Sequence, residues 1–370
     1  MGKEKYMPAD LSQFIDLHLL DSFEVILLGF IGGTLSGFIG SGGAFFMTPG
    51  MMNLGVPGVI AVASNVAHKF GKAMMGSKRH HELGNVDKKL GIFLILTAFA
   101  GNSLAVYIND LLVTGHADGH GSSGSAAADL YISLVFIIVL SLVALSILRD
   151  SWKTMKEERG PSRTITKYLS RLKLHPMINF PIADVRISLW ILLLVGLATG
   201  YLAGTIGVGG FIGVPAMIYI FGVPTTVATG TELFLAMFMG AFLASNYVYL
   251  GYVDIRLTML LFLGSLIGIN IGAYGTKVVK ELYIRLVTGI VILLCVLSRI
   301  IAIPMYLRQL EYLNFNPGWD KYLNQTSKAM LFISGLSGVG LILFNVFRAY
   351  RLRNRIRIEL ETAETPAAES

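Results

Sequence analysis

Charge is what this chain has least of. Asp, Glu, Lys and Arg make up 14% of its 370 residues, against about 25% in water-soluble domains. That shortage excludes a soluble globular protein. Cysteine is almost absent. Cys295 stands alone, so an intrachain disulfide framework is excluded too. The first 23 residues lack a basic leader, an uninterrupted apolar core and a small-residue cleavage site. They hold Lys3 and Lys5 but also Glu4, Asp10, Asp16 and Asp21, and no cleaved signal peptide is expected. Alternation of apolar and polar residues over ~10-residue strands is missing as well, which argues against a membrane β-barrel.

What fills the chain is apolar. Hydrophobic residues reach 54% and the mean hydropathy is +0.65. Leu90–Ile108, Leu130–Leu148 and Ile187–Ile206 hold no Asp, Glu, Lys or Arg, and runs of ~18 or more such residues span a ~30 Å hydrocarbon core. The sequence reads as an all-α polytopic membrane protein surrounded by lipid. Its formal charge of +7 is no nucleic-acid footprint, because Lys and Arg gather between the apolar runs, where the positive-inside rule expects them.

The chain also repeats itself. Displaced by 167 positions, Gly29, Gly33, Gly37, Gly40, Gly42 and Gly43 fall on Gly196, Gly200, Gly204, Gly207, Gly209 and Gly210. Gly55-Val56-Pro57 falls on Gly222-Val223-Pro224, and Gly84, Val86 and Asp87 fall on Gly251, Val253 and Asp254. Two half-domains of this kind are the usual construction of secondary transporters. The basic segments at Lys78–Lys89, Arg149–Arg186 and Arg348–Arg357 are expected in the cytoplasm, and the uncharged-to-acidic loop at Asn109–Asp129 outside. Counting crossings from these anchors puts Asp87 in the cytoplasm and Asp254 outside, which makes the repeat inverted. The resulting plan is an N-terminal extracytoplasmic segment over 1–23, a first transmembrane repeat over 24–148 and a basic cytoplasmic linker over 149–186. A second repeat follows over 187–303, then an extracytoplasmic loop over 304–328, an extra C-terminal transmembrane helix over 329–347 and a cytoplasmic tail over 348–370. Each repeat has five elements. The tail from Glu359 onward reads as disordered.

Both repeats are interrupted at the same place, by GSGGAFFMTPG from Gly40 and GVGGFIGVPA from Gly207. Broken backbone at membrane depth is tolerated only where it is buried in protein or lines a watery cavity. The stretches are too short for ordinary spans, so each is expected as a broken helix or re-entrant hairpin whose start meets its counterpart near the membrane centre. Helix starts carry partial positive charge, and glycine lets a ligand approach the backbone. Gly40, Ser41, Gly42, Gly43, Gly207, Gly209 and Gly210 are therefore candidate anion-binding residues. The glycines at four-residue spacing before them (Gly29, Gly33, Gly37 and Gly196, Gly200, Gly204) read instead as helix-packing surfaces.

The paired G-x-G-G…P, the G-V-P turn and the A-x-x-S/T helix, duplicated at one period, resemble the sulfite exporter TauE/SafE family over residues 24–303. The resemblance implies a transporter of small sulfur-containing anions such as sulfite or sulfonates; together with the two-half plan, the chain reads as a secondary transporter, an exporter, working by alternating access across the cytoplasmic membrane.

Polar residues inside the following helices complete the set. Ser64 and Asn65 are the repeat equivalents of Thr231 and Glu232. Ser64, Asn65, Lys69 and Thr231 are candidate substrate contacts. Glu232, an acid inside an apolar helix, is a candidate proton-coupling group; the competing reading is a helix cap. Asn65, His68 and Lys72 share a helix face at three- and four-residue spacing, and one reading makes His68, Lys69 and Lys72 a basic wall that draws an anion inward; Lys69 reads equally as a surface-reaching side chain, and Lys72 rather as one that snorkels to the cytoplasmic face. An anion channel remains an alternative. An intramembrane enzyme is disfavoured, since the spans hold no paired carboxylates, Ser/His dyad or metal cluster. No cofactor, metal or nucleic-acid partner is expected; a homo-oligomer is left open.

Overall fold

The computed structural model describes residues 18–39, 43–115, 121–157, 174–207, 209–279 and 281–364. Gly40, Ser41, Gly42, Val208 and Lys280 lie outside the described residues, as do residues 1–17, 116–120, 158–173 and 365–370. The first half contains α1 (Leu19–Ile39), α2 (Ala44–Asn53), α3 (Gly58–Glu82), α4 (Lys88–Thr114) and α5 (Gly121–Glu157). The second contains α6 (Leu189–Ile206), α7 (Gly209–Pro215), α8 (Thr225–Tyr249), α9 (Ile255–Val278) and α10 (Glu281–Gln309). A last helix, α11, runs over Gly318–Glu364.

Eight of these helices are long and apolar enough to cross a membrane: α1, α4, α5, α6, α8, α9, α10 and α11. Their outward faces are studded with exposed Leu96, Ile138, Leu194, Leu263 and Ile333. Apolar surface on that scale requires an apolar surrounding, so this is a multi-pass membrane protein. The ten residues of α2 span only ~15 Å at 1.5 Å per residue, half of a hydrocarbon core. In the second half, Pro215 withholds a helix donor, and the chain beyond it widens into a π-helical turn over Ala216–Phe221.

The repeated motifs have local physical causes. In the two Gly-Val-Pro turns, Gly55 and Gly222 take φ of +86° and +79°, a left-handed conformation that ends a helix and that glycine adopts without steric cost. Pro57 and Pro224 directly precede α3 and α8. In the later turns, Asp87 accepts from the Leu90 N–H at 3.0 Å, and Asp254 accepts from the Arg256 N–H at 2.8 Å. Both aspartates cap the helix that follows.

Packing crosses between the halves. α1 lies along α9, and α4 lies along α6. Exchanging the halves turns one pair into the other. The spaced glycines sit in these two seams: a Cβ on Gly33 would stand 2.6 Å from the Ser265 Cα, and one on Gly200 would stand 2.6 Å from the Ala98 Cα. Such distances leave room for hydrogen only. α3 pairs with its equivalent α8, and α5 with its equivalent α10.

Three features depart from the sequence expectation. The fold is not purely α: the linker carries an antiparallel hairpin, β1 (Met177–Phe180) with β2 (Val185–Ser188), in the register Met177↔Ser188 and Phe180↔Val185. Its turn donates the Ala183 N–H to the second oxygen of Asp87 at 3.0 Å, and Lys89 Nζ donates to the Asn179 carbonyl at 2.9 Å. The loop expected over 304–328 is largely helical, because α10 continues through Gln309 and α11 already begins at Gly318. Helix α11 also continues through Glu364, into the stretch expected to be disordered. It is fastened to α1 by Lys328 and Glu24 at 2.6 Å. Between α10 and α11, the fully buried Arg299 bonds to Asn53 at the end of α2 and to Ser327 at 3.4 Å.

Candidate functional site

The starts of the two interrupted helices meet. Gly43 and Ala44 from α2 and Gly210 from α7 border one central cavity of about 60 Å³, several times the ~10–15 Å³ that one water needs. Helices α3 and α8 form its side walls.

Asn65 ties the two breaks together. Its Nδ2 donates to the Ala44 carbonyl at 3.2 Å and to Thr48 Oγ1 at 2.8 Å. Thr48 Oγ1 donates in turn to the Ile206 carbonyl at 3.2 Å, the last one of α6. Gly207 follows at φ +76°, and a Cβ there would meet Thr48 Oγ1 at 3.1 Å and Asn65 Nδ2 at 3.2 Å. The second break is thus turned by a residue that has no side chain to collide with the first. Asn65 Oδ1 is buried and has no hydrogen-bond partner.

The walls carry opposite charges. On α3, Asn65, His68, Lys69 and Lys72 share one face at three- and four-residue spacing, and all four line the cavity. Lys72 Nζ donates to Ser36 Oγ at 3.2 Å, and His68 Nε2 shares a 2.7 Å hydrogen bond with Ser265 Oγ. On α8 stands Glu232, 3% exposed, with neither carboxyl oxygen hydrogen-bonded. A Cβ on Gly210 would lie 2.9 Å from Glu232 Oε1 and 3.0 Å from Lys69 Nζ. A Cβ on Gly213 would lie 2.9 Å from the Glu232 carboxyl carbon. The acid therefore nests against two glycines of α7, facing an ammonium across the cavity.

Of the candidate residues named from sequence, Gly43, Asn65, Lys69, Gly210 and Glu232 come together here, and Gly207 adjoins them. Gly209 packs beneath, its Cβ position 2.5 Å from the Ala203 Cβ. Gly43 has a second duty, since a Cβ on it would sit 2.8 Å from the Gly32 Cα. Ser64 and Thr231 lie elsewhere. Ser64 Oγ accepts from the Asp254 N–H at 3.2 Å, and Thr231 Oγ1 accepts from the Asp87 N–H at 3.0 Å. These are equivalent bonds in the two halves, each clasping the turn of the other half. Ser36 and Gly213 belong to the site and were not named from sequence, while His68 and Lys72, which one sequence reading placed on a basic wall, do line the cavity. His68 and Lys72 carried a signal in their spacing from Asn65. Gly40, Ser41 and Gly42 fall outside the described residues.

Interrupted helices whose starts face a small charged cavity inside a lipid-exposed bundle define a membrane transporter with a small-molecule substrate. The family model described as "Sulfite exporter TauE/SafE" matches residues 25–299, and the chain belongs to that family. Its relatives in Bacillus subtilis (strain 168) include the probable membrane transporter proteins YjnA and YdhB. YjnA is 27% identical over 68% of this chain and 89% of its own length, and YdhB is 24% identical over 70% and 93%. No solved structure matches.

Proposed function

We propose that this chain is a proton-coupled secondary transporter of a small sulfur-containing oxyanion, such as sulfite or a sulfonate, across the cytoplasmic membrane by alternating access. The observation that carries the reading is the cavity where both helix breaks converge on Lys69, with Glu232 opposite and unbonded. An anion there would meet the Lys69 and Lys72 ammonium groups beside the starts of α2 and α7, the positive ends of those helices. Its volume suits an oxyanion of a few atoms and rejects a bulky metabolite.

Glu232 supplies the coupling. Ionised, it repels an anion held a few ångströms away. Protonated, it loses that charge and gains an O–H donor. Anion binding and protonation of Glu232 then promote one another, so binding strengthens as pH falls. Proton and anion move together, in the direction set by the sum of their gradients, so export requires an outward anion gradient that exceeds the inward gradient of the proton.

An inverted arrangement of the halves supports alternating access. Ser64, near the start of α3, holds Asp254, while Asp87 follows the end of the same helix. The 18 positions from Ser64 to Glu82 correspond to ~27 Å of helix, so the two equivalent turns lie toward opposite ends of α3.

The test is flux into proteoliposomes, screened over sulfite, sulfonates, sulfate and carboxylates, with and without a pH gradient. The parent should carry one of the sulfur oxyanions faster with the gradient than without it. Glu232→Gln should bind the same anion but respond neither to the gradient nor to pH. A Gln variant that keeps the parental pH dependence removes Glu232 from the mechanism and leaves it as a structural group.

A further inference from the structure

The central cavity extends along α3 toward Lys72 and Ala73, the end of the bundle that carries the α3–α4 turn. On the other flank of Lys69 lies a second, smaller cavity of about 10 Å³, which also touches Gly207, Ala203 and Leu243. It has room for about one water. Lys69 and Ala236 line both, and the second cavity reaches the break at Gly207.

Leu243 of α8 closes the far side. It is 1% exposed, and a Cβ on Gly204 would lie 3.3 Å from its Cδ2. Behind it is a polar layer. Tyr247 hydroxyl donates to the Gly204 carbonyl at 2.9 Å, and Asn109 Nδ2 donates to the Tyr247 oxygen at 2.9 Å. Both side chains are fully buried, and Asn109 Oδ1 has no hydrogen-bond partner. Further out, the Tyr252 hydroxyl donates to Asp110 Oδ1 at 2.8 Å. From Lys69 to the ends of α4 and α8, the order is a one-water cavity, Leu243, a buried polar layer and the Tyr252–Asp110 pair.

Packing does not explain that order. A buried polar layer with an unmet acceptor is costly inside a membrane protein, and such groups are retained where a cavity hydrates them in another state. An apolar side chain standing between a lysine and a buried polar layer is an effective barrier to ions and water.

We infer that the second half of the transport path runs from Lys69 past Gly207 to the Tyr247–Asn109 layer, that Leu243 is the gate closing it, and that the small anion passes here when the gate opens. This inference rests on the central-cavity reading above and adds the exit to it.

Purified full-length protein tests it, with sulfite as the probe. Leu243→Trp should bind sulfite within twofold of the parent and lose at least tenfold in proteoliposome flux. Parental flux through a folded Leu243→Trp protein overturns the gate. Lys69→Gln is the separate control on the cavity: if it binds sulfite as tightly as the parent, the central-cavity reading fails, whatever Leu243→Trp does. A third measurement needs neither sulfite nor the bulky variant. In a chain with Cys295→Ser, Leu243→Cys should react with a membrane-impermeant thiol reagent supplied from the Tyr252–Asp110 side. Its rate should exceed that of Leu235→Cys, buried two turns earlier on α8, by more than tenfold. Equal rates overturn the gate even if sulfite is the wrong anion.

Discussion

Gly210→Ala isolates the ligand-facing function of a glycine from its packing function. The added methyl would stand 2.9 Å from Glu232 Oε1 and 3.0 Å from Lys69 Nζ. Both atoms are the ends of flexible side chains and can retreat by a few tenths of an ångström, so the fold should survive. The site should not. The methyl occupies the point between the ammonium and the carboxyl where a small anion would touch the start of α7. Losing one charge-assisted hydrogen bond costs about 1.5–3 kcal/mol, which at 1.4 kcal/mol per tenfold weakens affinity about 10- to 140-fold. Gly43→Ala is the wrong variant for this purpose. Its methyl would meet the backbone of Gly32, with the Cα at 2.8 Å, and backbone cannot yield without moving α1. The assay is anion binding to purified protein, by calorimetry or ligand-dependent thermal shift, with the unliganded melting temperature measured beside it. Gly210→Ala should melt within a few degrees of the parent and bind at least tenfold more weakly. A stable Gly210→Ala protein with parental affinity refutes the reasoning, and the helix breaks are then packing devices.

The seam glycines should behave in the opposite way. Gly33→Ala places a methyl 2.6 Å from the Ser265 Cα and should lower stability by about 1–3 kcal/mol, as overpacking does, with affinity unchanged in the protein that still folds; a melting temperature equal to the parent's counts against close α1–α9 contact. For topology, Asp87 and Asp254 make poor labelling sites because they are buried at 1% and 5% exposure. Cysteines at Leu83 and Tyr249, exposed at 65% and 90%, should react with impermeant reagents from the cytoplasmic and outer sides respectively. Reaction of both from one side overturns the inverted repeat.

The membrane class, the repeat and the place of the breaks were legible because each rests on spacing that survives in one dimension. The site was half legible. Asn65 and Glu232 could be paired through the repeat, and the structure sets them on the two facing walls. Ser64 and Thr231 shared that argument but point elsewhere, since adjacent helical residues are turned ~100° apart, and their hydroxyls reach the opposite half's turn. Lys72 looked close enough to Lys78 to reach the surface. What sequence does not display is that α1 ends alongside, offering Ser36 Oγ to the ammonium at 3.2 Å. The hairpin at Met177–Ser188 was missed because its strands, four residues each, are too short to show a period. The double duty of Gly43 was invisible for a similar reason: Gly32, which it touches, has no side chain to announce a contact.

The crossed seams decide how such a chain comes together. Gly29 and Gly33 have their partners at Leu261 and Ser265, which leave the ribosome only after most of the protein has been made. Until then α1 presents a groove shaped for a backbone that does not yet exist, and α6 in turn must find α4 across the linker. Contacts so distant along the chain are slow to form and leave surfaces exposed meanwhile. Neither repeat is therefore a folding unit by itself. If two bodies move against each other in the proposed transport cycle, they are not the two halves of the sequence, because the first helix of each half packs along a helix of the other. Such bodies would be chimaeras, one built on α1 with α9 and the other on α4 with α6.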